Sequence, residues 1–224
     1  MKNSIVRDKF ISKLLGYDAF IIKKYNIQKL SNLKKPFFLT LKSKSKINKS
    51  TSKKTKNFNI SLESIMVNYE RKFLENKSTF YKCRNATRKD IPQLKKICLE
   101  KTSGSRFYSD KKLNKKFRES FRFEWLLNYF RGKRGNFLIV AYKEKKILGF
   151  ILLIKIKNGL RIDLIVTKKT FYNKKVGVTL INFANNNLIK NKQKIYAGTN
   201  VHNIQANNFY KKVGFQKTKI STYN

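Results

Sequence analysis

The chain has 224 residues, 41% apolar and 13% aromatic, enough to pack one full domain and a smaller companion, which excludes wholesale disorder. Its 53 Lys plus Arg against 12 Asp plus Glu give a net charge of +41, but the excess runs through the whole chain with abundant Asn, Ile, Phe and Tyr. It therefore reads as compositional bias, and nucleic acid is not expected as a partner.

Residues 1–79 read as a small α/β unit. Apolar segments at 36–41 and 64–73 flank a stretch at 42–57 that is nearly all Lys, Ser, Thr and Asn and is expected to be an exposed loop. Alternation of Ile65, Val67 and Tyr69 predicts a half-buried strand. From Phe80 the pattern is more regular: a strand to Asn85, then Thr87 to Asp90 as a capping-box-like helix start, with Ile91, Leu94 and Cys98 on one helical face. Phe117, Phe121, Trp125 and Tyr129 recur every four residues as a helical stripe that reads as core. Strands are predicted at 136–142, 147–157 and 160–167, a helix at 175–189 with Val176, Leu180, Phe183 and Ala184 inward, a strand at 194–199, a helix at 203–212 and a terminal strand. The fold class is α/β, with the smaller unit over 1–79 and a larger one over 80–224 whose strands between 136 and 167 form an antiparallel meander.

The two cysteines, Cys83 and Cys98, match neither a redox pair nor a zinc site, and read as buried free thiols with no metal. No apolar run approaches the ~20 residues of a membrane helix and no signal-peptide block is present, so membrane insertion is not expected and a cytoplasmic location is.

The strongest chemical signal lies where an apolar strand containing Leu164, Ile165 and Val166 runs through Asn173-Lys174-Lys175-Val176-Gly177-Val178-Thr179 into a helix. Backbone N–H groups and the helix dipole at such a turn favour a bound pyrophosphate, and Gly177 would let the main chain approach it closely. Further on, Asn203, Ala206, Tyr210, Gly214 and Phe215 stand at fixed intervals. Together these residues resemble the GNAT acetyltransferases, whose pyrophosphate motif has its counterparts here in Lys174, Gly177 and Thr179, with Lys and Thr as departures. Ser105-Arg106-Phe107-Tyr108, the helix carrying Trp125 and Asn128, and Gly198-Thr199 are similar to dTDP-fucosamine acetyltransferases and related nucleotide-sugar N-acetyltransferases of cell-surface polysaccharide biosynthesis. In those, the N-terminal part resembles a truncated acetyltransferase domain, to which Leu15-Gly16-Tyr17 and the strand at 65–73 would correspond.

What the resemblance implies is a mixed, mostly antiparallel central sheet flanked by helices over 80–224, and direct attack of an amine on acetyl-CoA, with no metal and no covalent enzyme intermediate. Leu164 to Val166, Lys174 to Thr179, Asn203 and Ala206 would hold acetyl-CoA, and Tyr210 would protonate the departing thiolate. Ser105 to Tyr108 and Trp125 would contact the acceptor, a small-molecule amine and specifically the 4-amino group of a nucleotide-linked amino sugar. No Asp or Glu follows Asp163, so the base is sought among Asp163, Asp110, Glu119, Glu124 or ordered water, and stays unassigned. His202, the only histidine, reads as structural. Eleven lysines follow Asp163 and would add a positive field for CoA phosphates. Two alternatives stay open, a protein or peptide N-acetyltransferase and a catalytically silent RNA- or ribosome-binding protein; a homodimer is also open.

Overall fold

A computed structural model describes residues 5–22, 37–43, 54–55, 58–59, 64–75, 77–100, 107 and 113–223. The chain opens with β1 (Ile5–Arg7) and α1 (Lys9–Leu15), whose start is capped by the Asp8 carboxylate and whose end is turned by Gly16 at φ 80°. Then come β2 (Asp18–Ile22), β3 (Phe37–Ser43), a two-strand ladder of β4 (Lys54–Thr55) with β5 (Phe58–Asn59), and β6 (Ser64–Lys72). From β7 (Lys82–Asn85) onward follow α2 (Ile91–Leu99), α3 (Lys115–Phe130), β8 (Phe137–Lys143), β9 (Lys146–Ile156), β10 (Gly159–Thr167), α4 (Val176–Leu188), β11 (Lys194–Asn200), α5 (Ile204–Lys212) and β12 (Gln216–Tyr223). That order is the one the hydrophobic periods predict.

Ten strands form one sheet in the order β1-β2-β3-β12-β6-β11-β10-β9-β8-β7, antiparallel except for the β2–β3 and β10–β11 pairs. The boundary expected at 79/80 falls in the connection between β6 and β7, two strands of this sheet. β6 pairs with β11 on one side and β12 on the other.

Both faces of the sheet centre are covered, which explains why β9 is buried almost throughout rather than alternating. Leu148, Ile151 and Leu153 pack with Val176, Leu180 and Ala184 of α4, while Ile147, Phe150 and Leu152 pack with Leu94, Cys98 and Leu126 of α2 and α3. A third cluster joins Ile11, Leu15 and Ala19 to Phe107, Phe117 and Phe121, so the start of the chain is built onto α3. Cys98 is buried and Cys83 half-buried, both are free, and desolvation pushes the pKa of each thiol up to about 12.

The polar face of α4 does a job the periodicity did not announce. The Thr179 hydroxyl accepts from the Phe80 N–H, Asn182 Nδ2 donates to the Ser78 carbonyl, and Asn185 Oδ1 accepts from the Leu74 N–H. Residues at i, i+3 and i+6 thereby satisfy the backbone between β6 and β7, which has no ladder of its own. Arg71 on β6 is 4% exposed and ties α4 to the end of α5, donating through Nη2 to Asn182 Oδ1 and through Nη1 to the Val213 carbonyl. Its Nε has no partner among the described residues, and burial lowers its proton affinity.

Candidate active site

The sheet divides at its one central parallel pair. β10 and β11 are in register only over Gly159↔Lys194, Leu160↔Ile195 and Arg161↔Tyr196; β10 then bulges between Ile162 and Leu164 and stays with β9, while β11 stays with β6. Leu164, Ile165 and Val166 therefore lie on a stretch whose edge toward β11 has no strand partner.

At the far end of that stretch, α4 begins. Lys175 is in the left-handed region at φ 59°, and the first helical bond runs from the Thr179 N–H to the Lys175 carbonyl. The amides of Val176, Gly177 and Val178 have no acceptor among the described residues, as at any helix start. A Cβ on Gly177 would come within 2.9 Å of Phe209 Cζ, so glycine here admits the Phe209 ring of α5. The space vacated by its side chain is filled, and only its amide remains available. Thr179 is fully buried with both its N–H and its hydroxyl engaged inside the protein, which withdraws its polar groups from any ligand. Lys174 and Lys175 extend over the rings of Phe171 and Phe80, at 5.2 and 4.2 Å from the centroids.

The Asn203 carboxamide caps α5 by accepting from the Ala206 N–H at 3.1 Å, so this motif pair has a structural explanation of its own. Tyr210 is 4% exposed and stacks on Tyr69, Phe209 and Phe215 at 5.3 to 5.6 Å. Burial, and secondarily Tyr69, raises its pKa, keeping it a neutral phenol; its hydroxyl has no hydrogen-bond partner among the described residues. Tyr69 itself donates to Asn207 Oδ1 at 2.7 Å.

On the other side of the split lies a cavity of about 640 Å³, bounded by β10, β11 and β6, by α3, and by the first elements of the chain. Phe107, Phe121 and Trp125 line it, so half of the aromatic stripe read as core also forms a wall. Asp163, the bulge residue, lies within it and is held by four donors: Arg134 Nε at 2.6 Å and Nη2 at 2.8 Å, Trp125 Nε1 at 2.7 Å and Tyr129 OH at 2.9 Å. Burial alone would raise its pKa, but these donors and the Arg134 charge outweigh it and hold the carboxyl below the ordinary range. A carboxylate so engaged is a poor proton acceptor, and Asp163 acts on the position of the bulge and of Trp125. Among the other carboxylates weighed as bases, Glu124 pairs with Arg131 at 3.0 Å, Glu119 is exposed, and Asp110 lies outside the described residues.

Of the acceptor residues expected from sequence, Phe107 and Trp125 are in this cavity, and Ser105, Arg106 and Tyr108 lie outside the described residues. His202 is exposed. Sequence reasoning missed Asp8, Tyr69, Arg134, Arg161 and Tyr196, all lining the cavity. Only Asp8 carried a local signal, as an acid just before an apolar helical pattern, and that signal points to capping alone. Among the described residues, no group of three or more His, Cys, Asp or Glu is placed to hold a metal, and no helix is long and apolar enough to cross a membrane.

The sequence matches the family described as the acetyltransferase (GNAT) domain over residues 105–224, more than half of the chain, and the protein belongs to that family. It is accordingly an acetyl-CoA-dependent N-acetyltransferase. The fold is similar to that of a functionally unknown conserved protein from Staphylococcus epidermidis (10% identity, TM-score 0.70, covering 100% of this chain and 91% of that one). It is also similar to a GNAT-family acetyltransferase from Colwellia psychrerythraea (10%, 0.52, 73% and 57%) and to a GCN5-related N-acetyltransferase from Sphaerobacter thermophilus (9%, 0.51, 83% and 58%). No curated protein matches the chain by sequence.

Proposed function

We propose that the protein transfers the acetyl group of acetyl-CoA to the primary amine of a small molecule held in the 640 Å³ cavity, and that this molecule is a nucleotide-linked amino sugar. The observation that carries the reading is the split itself: β10 parts from β11 after Arg161, the cavity is lined by Arg161, Ile162 and Asp163 at that point, and the unpartnered edge from Leu164 to Val166 follows in the chain before α4. Acetyl-CoA would lie along that edge, its pyrophosphate on the amides of Val176, Gly177 and Val178 and its thioester carbonyl on amides of Leu164 to Val166. The amine nitrogen attacks the carbonyl carbon, the C–S bond breaks, and the thiolate takes a proton from the Tyr210 hydroxyl. The ammonium loses two protons on becoming the amide, one restoring the Tyr210 hydroxyl and one going to water, so the balance is one amide, one free CoA thiol and one proton released.

Support for a nucleotide-linked acceptor is the cavity's size, its aromatic wall of Phe121, Trp125 and Tyr196, and Arg161, an exposed cation with no side-chain hydrogen bond or ion pair among the described residues, which suits a phosphate. Asp8, Phe10, Ile21 and Met66, from the segment 1–79, then form part of the acceptor-side wall. A panel of nucleotide amino sugars, simple amino sugars and peptides, each incubated with acetyl-CoA and assayed for thiol release and N-acetylated product, tests this. Turnover confined to peptides would replace the acceptor assignment; no thiol release with any amine would refute the reading.

A further inference from the structure

Two carboxylates line the cavity in opposite circumstances. Asp163 is saturated by Arg134, Trp125 and Tyr129. Asp8, in the turn from β1 to α1, uses Oδ1 to accept from the Ile11 N–H at 3.0 Å, and its Oδ2 has no hydrogen-bond or ion-pair partner among the described residues. The neighbouring Arg7 pairs with Asp18 at 2.6 Å instead, and Arg134, which feels the charge of Asp8, gives its hydrogen bonds to Asp163.

In a chain with 53 Lys plus Arg, half-buried Asp8 makes no ion pair among the described residues, unlike Asp18, Asp90 and Glu70, and the charge it feels, that of Arg134, is bonded to Asp163. Helix capping explains Oδ1 alone; Asn or Ser would cap as well and leave no charge in the cavity. Phe10, Phe121 and Trp125 share that cavity, with the Arg134 guanidinium 4.5 Å from the centroid of the Trp125 ring, and aromatic side chains beside a carboxylate suit an organic cation.

We propose that Asp8 binds the ammonium group of the acceptor, making the start of the chain a determinant of specificity for amines. The inference rests on the acetyl-transfer reading above, but binding can be followed without chemistry, because Trp125 is the only tryptophan of the chain and lines the cavity. The full chain is titrated with glucosamine-1-phosphate and with N-acetylglucosamine-1-phosphate, which keeps the sugar and phosphate and lacks the ammonium, while Trp125 emission is recorded.

The parent is expected to prefer the amine by about tenfold or more. Asp8→Asn, which keeps the helix cap, should abolish the preference with unchanged acetyl-CoA affinity by calorimetry, and Asp8→Glu should retain part of it. A parent that binds both sugars equally or neither, or a preference that survives in Asp8→Asn, overturns the role of Asp8. Failure of acetyl-CoA to bind or react would instead refute the transferase reading and leave the fluorescence result for Asp8 standing on its own.

Discussion

On the α4 side of the split the buried groups are occupied with packing, Gly177 making room for Phe209 and Thr179 anchoring Phe80, and what is left for a ligand is the amides of Val176, Gly177 and Val178 with the exposed Lys174 and Lys175. On the cavity side almost every polar group is a side chain, gathered from Asp8, Tyr69, Arg134, Asp163 and Tyr196. The first arrangement needs only a strand, a turn and a helix in succession. The second needs the whole sheet to be assembled, because its members come from both ends of the chain. Variants on the cavity side should therefore be felt through lost charge and hydrogen bonds, and variants on the α4 side through steric fit.

The largest effect is expected from Asp163→Ala, which leaves Arg134, Trp125 and Tyr129 without their common acceptor. Breaking a buried pair costs ~3–5 kcal/mol, reduced here to about 3 because the Arg134 side chain is 37% exposed. Urea unfolding measures the loss. The folded pKa of Asp163 is lowered, so its contribution is present above the unfolded value of ~3.9 and is lost as pH falls through the folded pKa. Asp163→Ala should flatten that acid limb, and an unaltered limb would mean that the pair does not stabilise the fold.

Next, Tyr210→Phe keeps the stack with Tyr69, Phe209 and Phe215 and removes only the hydroxyl. If that hydroxyl protonates the thiolate, kcat should fall ~10²-fold, the low end for general acid catalysis because a thiolate leaves readily, with acetyl-CoA affinity unchanged. Wild-type turnover in a folded variant, measured where chemistry limits the rate, would assign the proton to water or another donor.

The smallest of the three is Gly177→Ala. Its methyl meets Phe209 at 2.9 Å, an overpacking expected to cost about 1–2 kcal/mol in thermal or urea unfolding. Gly177→Ala combined with Phe209→Leu should recover stability if the clash is the cause. Recovery without any change in acetyl-CoA affinity would fit a glycine present for packing, whereas a lasting affinity loss would favour close approach of a ligand at that carbon.

The same contrast decides what could be read from sequence. Periods of two and 3.6 residues located β7 through β12, and Val176, Leu180 and Ala184 face inward as expected, because burial on one face leaves a local signature. The turn before α4 was legible for the same reason. Strand order was not: nothing local in Ile65 to Tyr69 says that β6 lies between β11 and β12, since pairing partners lie more than a hundred residues away. Asp163 could be noticed as the last acid of the chain, but its four donors come from α3 and the loop after it, and only tertiary structure turns it from a candidate base into a positioning residue. Arg71 is similar, a basic residue in a strand that gives no hint of burial against α4 and α5.

The central claim is that the α4 start and the open β10 edge receive acetyl-CoA, and calorimetry with acetyl-CoA and with S-acetylpantetheine, which keeps the thioester and lacks the pyrophosphate, tests it most directly. Saturable binding of one acetyl-CoA per chain, with affinity for the pantetheine compound lower by at least about tenfold, is the predicted result. Equal affinity for the two compounds, or no binding of either, would contradict it.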